Sequence, residues 1–123
     1  MIDFKNGAFF KLKEDAAYAD MVKDLLISGE QIVSSYRGMR DGVVFTTKRI
    51  IAVNVQGITG KKRDFSSLPY SKVTAFSAET AGTFDLDAEL ELYFSGLGKV
   101  RFEFTGKTNI RDISRMIAEF ALA

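Results

Sequence analysis

Residues 84–94 read FDLDAELELYF. Phe84, Leu86, Ala88, Leu90, Leu92 and Phe94 alternate without a break with Asp85, Asp87, Glu89, Glu91 and Tyr93. Successive side chains of a β-strand point to opposite faces, so this spacing specifies a strand with one buried face and one wet face. A chain carrying it must supply paired strands and an apolar layer to cover the buried side.

The neighbouring sequence supplies them. Ser95 to Gly98 turn the chain into VRFEFT, with Val100, Phe102 and Phe104 inward. A three-residue turn at Ser95–Leu97 sets Glu91 opposite Arg101, a favourable cross-strand pair. Upstream, a period of two runs from Gln31 through QIVSSYR, VVFTT, IIAVNV, KRDFSSL and YSKVTAFSA. Turns fall at Gly38–Gly42, Lys48–Arg49 and Gly57–Gly60, and a corner falls at Pro69, which cannot donate to a ladder. The period becomes helical at the end of the chain: Ile110, Ile113, Met116, Ile117 and Phe120 form an apolar stripe, with Thr108 as cap and Asp112 in the first turn. A shorter helix is read over 14–28 and ends at Gly29. Before it lies an arm, residues 1–13, where Asn6-Gly7 between Phe4 and Phe9 gives a local hairpin signal.

The chain thus reads as one domain over residues 1–123, mainly β, with a short N-terminal helix, seven antiparallel strands within 31–105 and a C-terminal helix over 108–122. Its length suffices for a core without disulfides or metals. A strongly bent sheet of seven strands leaves one end of its core open, and the amphipathic helix fits there as a plug. Phe84, Leu90, Leu92, Phe94, Phe102, Phe104, Ile113 and Ile117 are the expected core.

Composition narrows the function. The formal net charge is +1, so no global field draws nucleic acid or an anionic membrane, and neither is expected as a partner. Cys and His are both absent, which removes thiolate chemistry, the commonest metal ligand and the usual general base. Serines 66, 67, 71 and 77 have no base to activate them. QGITGKK is no P-loop, because the spacing is wrong and no helix follows. Carboxylates spaced along DLDAELE spread over a flat face instead of converging on a cation. No catalytic, cofactor-binding or metal-binding residues are assigned. The N-terminus lacks a signal-peptide core and no stretch reaches membrane-span length, so a cytoplasmic protein is expected.

One cluster carries a specific alternative. The first four strands run up and down, so the turns at Gly38–Gly42 and Gly57–Gly60 lie at the same end. That places Arg37 and Arg40 near Lys61 and Lys62, with Asp41 and Asp64 offsetting part of the charge. The leading reading is a solvated hairpin tip with edge-protecting lysines. The alternative is an anion site for phosphorylated small molecules or lipid headgroups. The charge balance predicts at most weak binding to inositol phosphates or anionic vesicles at physiological salt.

The stretches RDGVVFTTKRIIAVNVQGITGKK and SLPYSKVTAFSAETAGTFDLDAELEL resemble the small bacterial family of pleckstrin-homology (PH)-like domains of unknown function, most closely in FTTKR, QGITGKK, PYSKV and ETAGTFDLDAEL. The resemblance spans roughly residues 29–105 and implies a PH-like barrel or sandwich capped by the C-terminal helix. It implies a non-catalytic scaffold presenting a surface to a protein partner, whose identity is not implied. It also implies self-association into a cyclic homo-oligomer, with a pentamer as the suggested size. The basic pattern of eukaryotic inositol-phosphate-binding PH domains is missing, since the second strand opens GVVFTT. The arm, with Phe4, Phe9 and Phe10, is read as a candidate for packing between subunits.

Overall fold

The structure is a computed structural model that describes residues 1, 4, 7–83, 86–106 and 108–123. Two compact units make up the chain, one from Met1–Ile2 and Glu14–Pro69, the other from Asp3–Lys13 and Tyr70–Ala123.

The first unit contains α1 (Ala17–Val22), which continues as a 3-10 turn over Lys23–Leu25, and the strands β2 (Ile32–Arg37), β3 (Asp41–Thr46), β4 (Arg49–Gln56) and β5 (Lys62–Pro69). The strands follow one another as hairpins and lie in the order β5-β4-β3-β2. Register is set by short turns: Phe45 pairs with Ile50, and Gln56 with Lys62. Val43, Val44, Phe45, Ile50, Ile51, Ala52 and Val53 are all fully buried, so the centre of this sheet is covered on both faces. Val22 from α1 joins Val44, Ile51 and Val53 in one cluster, with Tyr18, Met21, Leu26 and Ile32 packed against it.

Gly42 permits that packing. A Cβ at this position would overlap the Tyr18 ring. Gly42→Ala is therefore expected to displace α1 or the ring and to destabilise by about 1–3 kcal/mol, as overpacking does. Chemical denaturation of the variant checks this, and an unchanged midpoint would mean that the ring yields freely.

The second unit holds β1 (Ala8–Glu14), a 3-10 turn at Tyr70–Lys72, β6 (Val73–Glu79), β7 (Ala88–Phe94), β8 (Gly98–Phe104) and α2 (Ile110–Ala121). Its strand order is β1-β8-β7-β6. The β7–β8 hairpin sets Phe94 opposite Gly98, which leaves the three-residue turn Ser95–Leu97, and Glu91 lies opposite Arg101 as the sequence requires. Leu90, Leu92, Phe94, Val100, Phe102 and Phe104 are buried, as are Ile110, Ile113 and Ile117 of α2. The helix packs on β6, β7 and the Tyr70 turn, and Tyr70 stacks on Phe120 with centroids 6.1 Å apart. Of the expected core, only Phe84 lies outside the described residues.

Several readings are corrected. Among the described residues the strands number eight, because most of the described arm belongs to a strand, Ala8–Glu14: β1 pairs parallel with β8, Ala8 opposite Val100 through Leu12 opposite Phe104. Phe10 stacks on Phe102 at 5.5 Å. Phe4 and Phe10 are buried, so only Phe9 of the three phenylalanines stays exposed, beneath the Arg101 guanidinium. Asn6, half of the hairpin signal, is outside the described residues, while Gly7 N–H closes a turn on the Phe4 carbonyl at 3.0 Å. β7 begins at Ala88, and Leu86 is 69% exposed although the alternation reached back past it. The α2 cap is Asn109 and not Thr108: its side-chain oxygen accepts from the Asp112 N–H at 3.2 Å.

Candidate functional site

The basic turns are built by the hairpins of the first unit. Positive backbone φ at Gly57 and Gly60, 80° and 68°, turns β4 into β5, a conformation open to glycine without steric cost. The β2–β3 turn leans against this one. Arg40 donates from its guanidinium to the Gly57 carbonyl at 2.7 Å, and the Val55 N–H donates to the Arg40 carbonyl at 2.9 Å. Arg40 is thereby brought beside the Gly57–Gly60 turn that leads into Lys61 and Lys62, and all three side chains are exposed.

Arg37 is directed elsewhere. Its guanidinium lies 3.5 Å from the Asp15 carboxylate. Asp64 is also occupied: the Met1 ammonium donates to it at 2.9 Å and holds its carboxyl below the usual range. Burial raises the Asp41 carboxyl above its ordinary value, against the pull of its own backbone N–H. Lys61 and Lys62 thus have only part of their expected company.

A second polar centre sits at the far end of β4 and escaped the sequence reading. The Glu30 side chain is fully buried, and Arg49 donates to its carboxylate from Nε at 2.9 Å and from a terminal nitrogen at 3.0 Å. Thr46 Oγ1 donates at 2.6 Å and the Ile27 N–H at 3.0 Å. Arg49 also reaches the Leu25 carbonyl at 2.6 Å and Ser67 Oγ at 2.9 Å. Burial alone would raise the Glu30 carboxyl; the donors outweigh it and lower the pKa from 4.5 to about 2. With the guanidinium and the carboxylate so engaged, this is a clamp between the 3-10 turn and the sheet. The local signal was slight, an acid after Gly29 and an arginine at a strand start.

In the second unit the acidic strand face finds bases. Glu89 accepts from Arg101 at 2.6 Å, and Glu91 lies 3.9 Å from it. Glu103 is pushed up chiefly by a hydrogen bond with Asp87. Among the described residues no group of three acids, His or Cys is placed to hold a metal. A cavity of about 620 Å³ is lined by Ala81, Leu86, Gly106, Thr108 and Asn109. Among the described residues that lining offers no titratable side chain. No described helix is long and apolar enough to cross a membrane.

Comparison with known proteins accounts for this arrangement as a fold. The chain is 44% identical over 105 residues to the uncharacterised protein YjqA of Bacillus subtilis strain 168, covering 84% of each. It is 32% identical over 102 residues to the uncharacterised protein YozO of the same strain, covering 82% of this chain and 87% of that one. The crystal structure of a DUF1696 family protein with a pleckstrin-homology domain from Shewanella loihica PV-4 superposes with a TM-score of 0.70 at 39% identity, over 94% of this chain and 99% of that chain. That likeness matches the PH-like class read from the strands and the closing helix. The profile of the bacterial PH domain spans residues 3–121, from before β1 to the end of α2, and the chain belongs to that family.

Proposed function

We propose that this protein is a non-catalytic scaffold that self-associates into a ring and presents a surface to a protein partner. The observation that carries this reading is the edge of β6. This strand ends the sheet of the second unit. Thr74, Ala75, Ser77, Ala78 and Glu79 are exposed, and residues 73–79 include no lysine, arginine or proline. Natural edges are blunted by such residues, as β5 is by Lys62, Arg63 and Pro69. An edge without lysine, arginine or proline suits strand addition by a second copy, and a repeated heterologous contact closes into a ring when the rotation permits. Exposed Phe9 is the remaining arm residue suited to packing between subunits. The absence of His and Cys supports a non-catalytic role.

Native mass spectrometry at micromolar concentration tests the assembly. A closed oligomer is expected, a pentamer by the family resemblance. Ala75→Lys with Ser77→Lys should yield monomers whose melting is otherwise that of a folded domain. A monomeric unaltered chain, or a ring indifferent to both lysines, would sink the reading.

A second reading, a weak module for phosphorylated small molecules or anionic headgroups, is favoured by the Arg40–Gly57 bond, which joins the two basic turns. It ranks lower because Arg37 is paired with Asp15 and Arg40 is already spent on a backbone carbonyl.

A further inference from the structure

Four elements of the second unit stop around one opening. β6 ends at Glu79, opposite Glu89; β7 begins at Ala88, opposite Phe104 where β8 ends; and α2 starts at Ile110. The cavity of about 620 Å³ lies at this opening. It continues into a second lobe of about 420 Å³, which shares its five lining residues and adds Thr80, Ala88, Ile110 and Arg111. The two lobes differ in chemistry. Carbon of Ala81, Leu86 and Gly106 walls much of the first, while Thr80, Thr108 and Arg111 border the second. Ala88 and Ile110 are buried, so the recess reaches the apolar core, yet Leu86 on its wall stays 69% exposed. Among the described residues no carboxylate pairs with the Arg111 side chain. The neighbouring Asp112 carboxylate is held by the Asn109 amide at 2.8 Å. Glu89 and Glu91 lie on the face of β7 opposite Ala88 and Leu90, away from the opening.

From this arrangement we infer that the opening binds a small amphiphilic carboxylate from solution, its hydrocarbon chain against Ala81 and Leu86 and its carboxylate at Arg111 and Thr108. Both lobes fall within the range of small-molecule sites, about 300–1,000 Å³, and such sites join an apolar wall to a few polar groups that fix orientation. A wholly apolar molecule would leave the polar lobe unused. A small polar anion would leave Leu86 in water, and a cation would meet a guanidinium with no acid turned toward it. An apolar side chain from a protein partner fits the first lobe but has no group for Arg111. An amphiphilic anion matches both lobes at once. The inference uses neither the basic turns of the first unit nor the edge of β6, so it and the ring can fail separately.

Decanoate, below its micelle concentration, serves as the probe in isothermal titration calorimetry of the full chain. Saturable uptake of one molecule per chain is expected, with decanol bound more weakly and decyltrimethylammonium not bound. Leu86→Ala should weaken decanoate about tenfold, given the apolar area left in water. Arg111→Ala should weaken it about fivefold, as for an exposed ion pair, and leave decanol unchanged. Ala81→Phe, which fills the lobe from an exposed position, should abolish binding of both. Thermal melts matching the parent would show that the variants fold. Absence of saturable decanoate binding overturns the inference. So does binding indifferent to both Leu86→Ala and Ala81→Phe, which would place the ligand elsewhere, or decyltrimethylammonium bound as tightly as decanoate, which would remove the role of Arg111. A chain that ignores decanoate but loses its oligomer on Ala81→Phe would assign the opening to a neighbouring copy, and that also overturns it.

Discussion

Arg49→Met is expected to destabilise the protein by about 3–5 kcal/mol, the cost of leaving a buried charge without its partner. The Glu30 carboxylate is fully buried and depends on Arg49 for two of its hydrogen bonds. Methionine fills similar space with no donor, and the Leu25 carbonyl and Ser67 hydroxyl lose a partner as well. The pH dependence identifies the cause. Glu30 titrates at about 2 in the folded chain against an ordinary 4.5. The unfolded chain therefore takes up the proton first as pH falls. The contribution, about 3 kcal/mol, is complete above pH 4.5 and disappears as the pH is lowered toward 2. In Arg49→Met, burial without the guanidinium favours the neutral acid, so the gap between parent and variant should narrow from pH 6 to pH 3. Denaturant titrations across that range measure it. A gap independent of pH would assign the loss to packing instead.

Leu90→Ala is expected to cost about 2–5 kcal/mol, the range for removing a buried leucine and leaving a cavity. Leu90 lies at the middle of β7, fully buried, opposite Phe102 on β8 and Ala78 on β6. Leu86, on the same nominal face but 69% exposed, is the internal control. Leu86→Ala should move the melting temperature little. Equal losses at the two sites would mean that the buried face of β7 is wrongly assigned.

The contrast between those two leucines shows what a sequence can carry. Alternation from 84 to 94 located β7 and its buried face, because strand periodicity is local. It could not say that pairing stops at Ala88, because that depends on where β8 and β6 end. The Ile110–Phe120 stripe located α2 for the same local reason. Asn109 took the cap from Thr108 because only its side chain meets the Asp112 N–H. Up-and-down hairpins correctly brought Arg40 to the Gly57 turn, while Arg37 was drawn aside by Asp15, an acid far away in the chain. The Glu30 clamp was invisible because its members come from three separate segments. Met39 and Ile58 stand fully exposed in the turns; that exposure was not legible, since an apolar turn residue can fold back on the sheet or project, and the local sequence does not decide which.

The pairing of β1 with β8 has a consequence for biosynthesis. Thr105 donates to the Leu12 carbonyl across 93 positions of sequence, and the parallel ladder between these strands has no hairpin to nucleate it. At typical translation rates the ribosome needs roughly 5–19 s to produce the partner that β1 awaits. Strands β2 to β5 meet only their neighbours in sequence and can assemble within that interval. The nascent chain therefore passes through a stage in which β1, with its apolar Phe10 and Leu12, is made but not yet paired with β8. Until β8 emerges, Phe10 lacks the Phe102 ring it stacks on in the folded unit, and the Ala8–Leu12 ladder has no parallel partner.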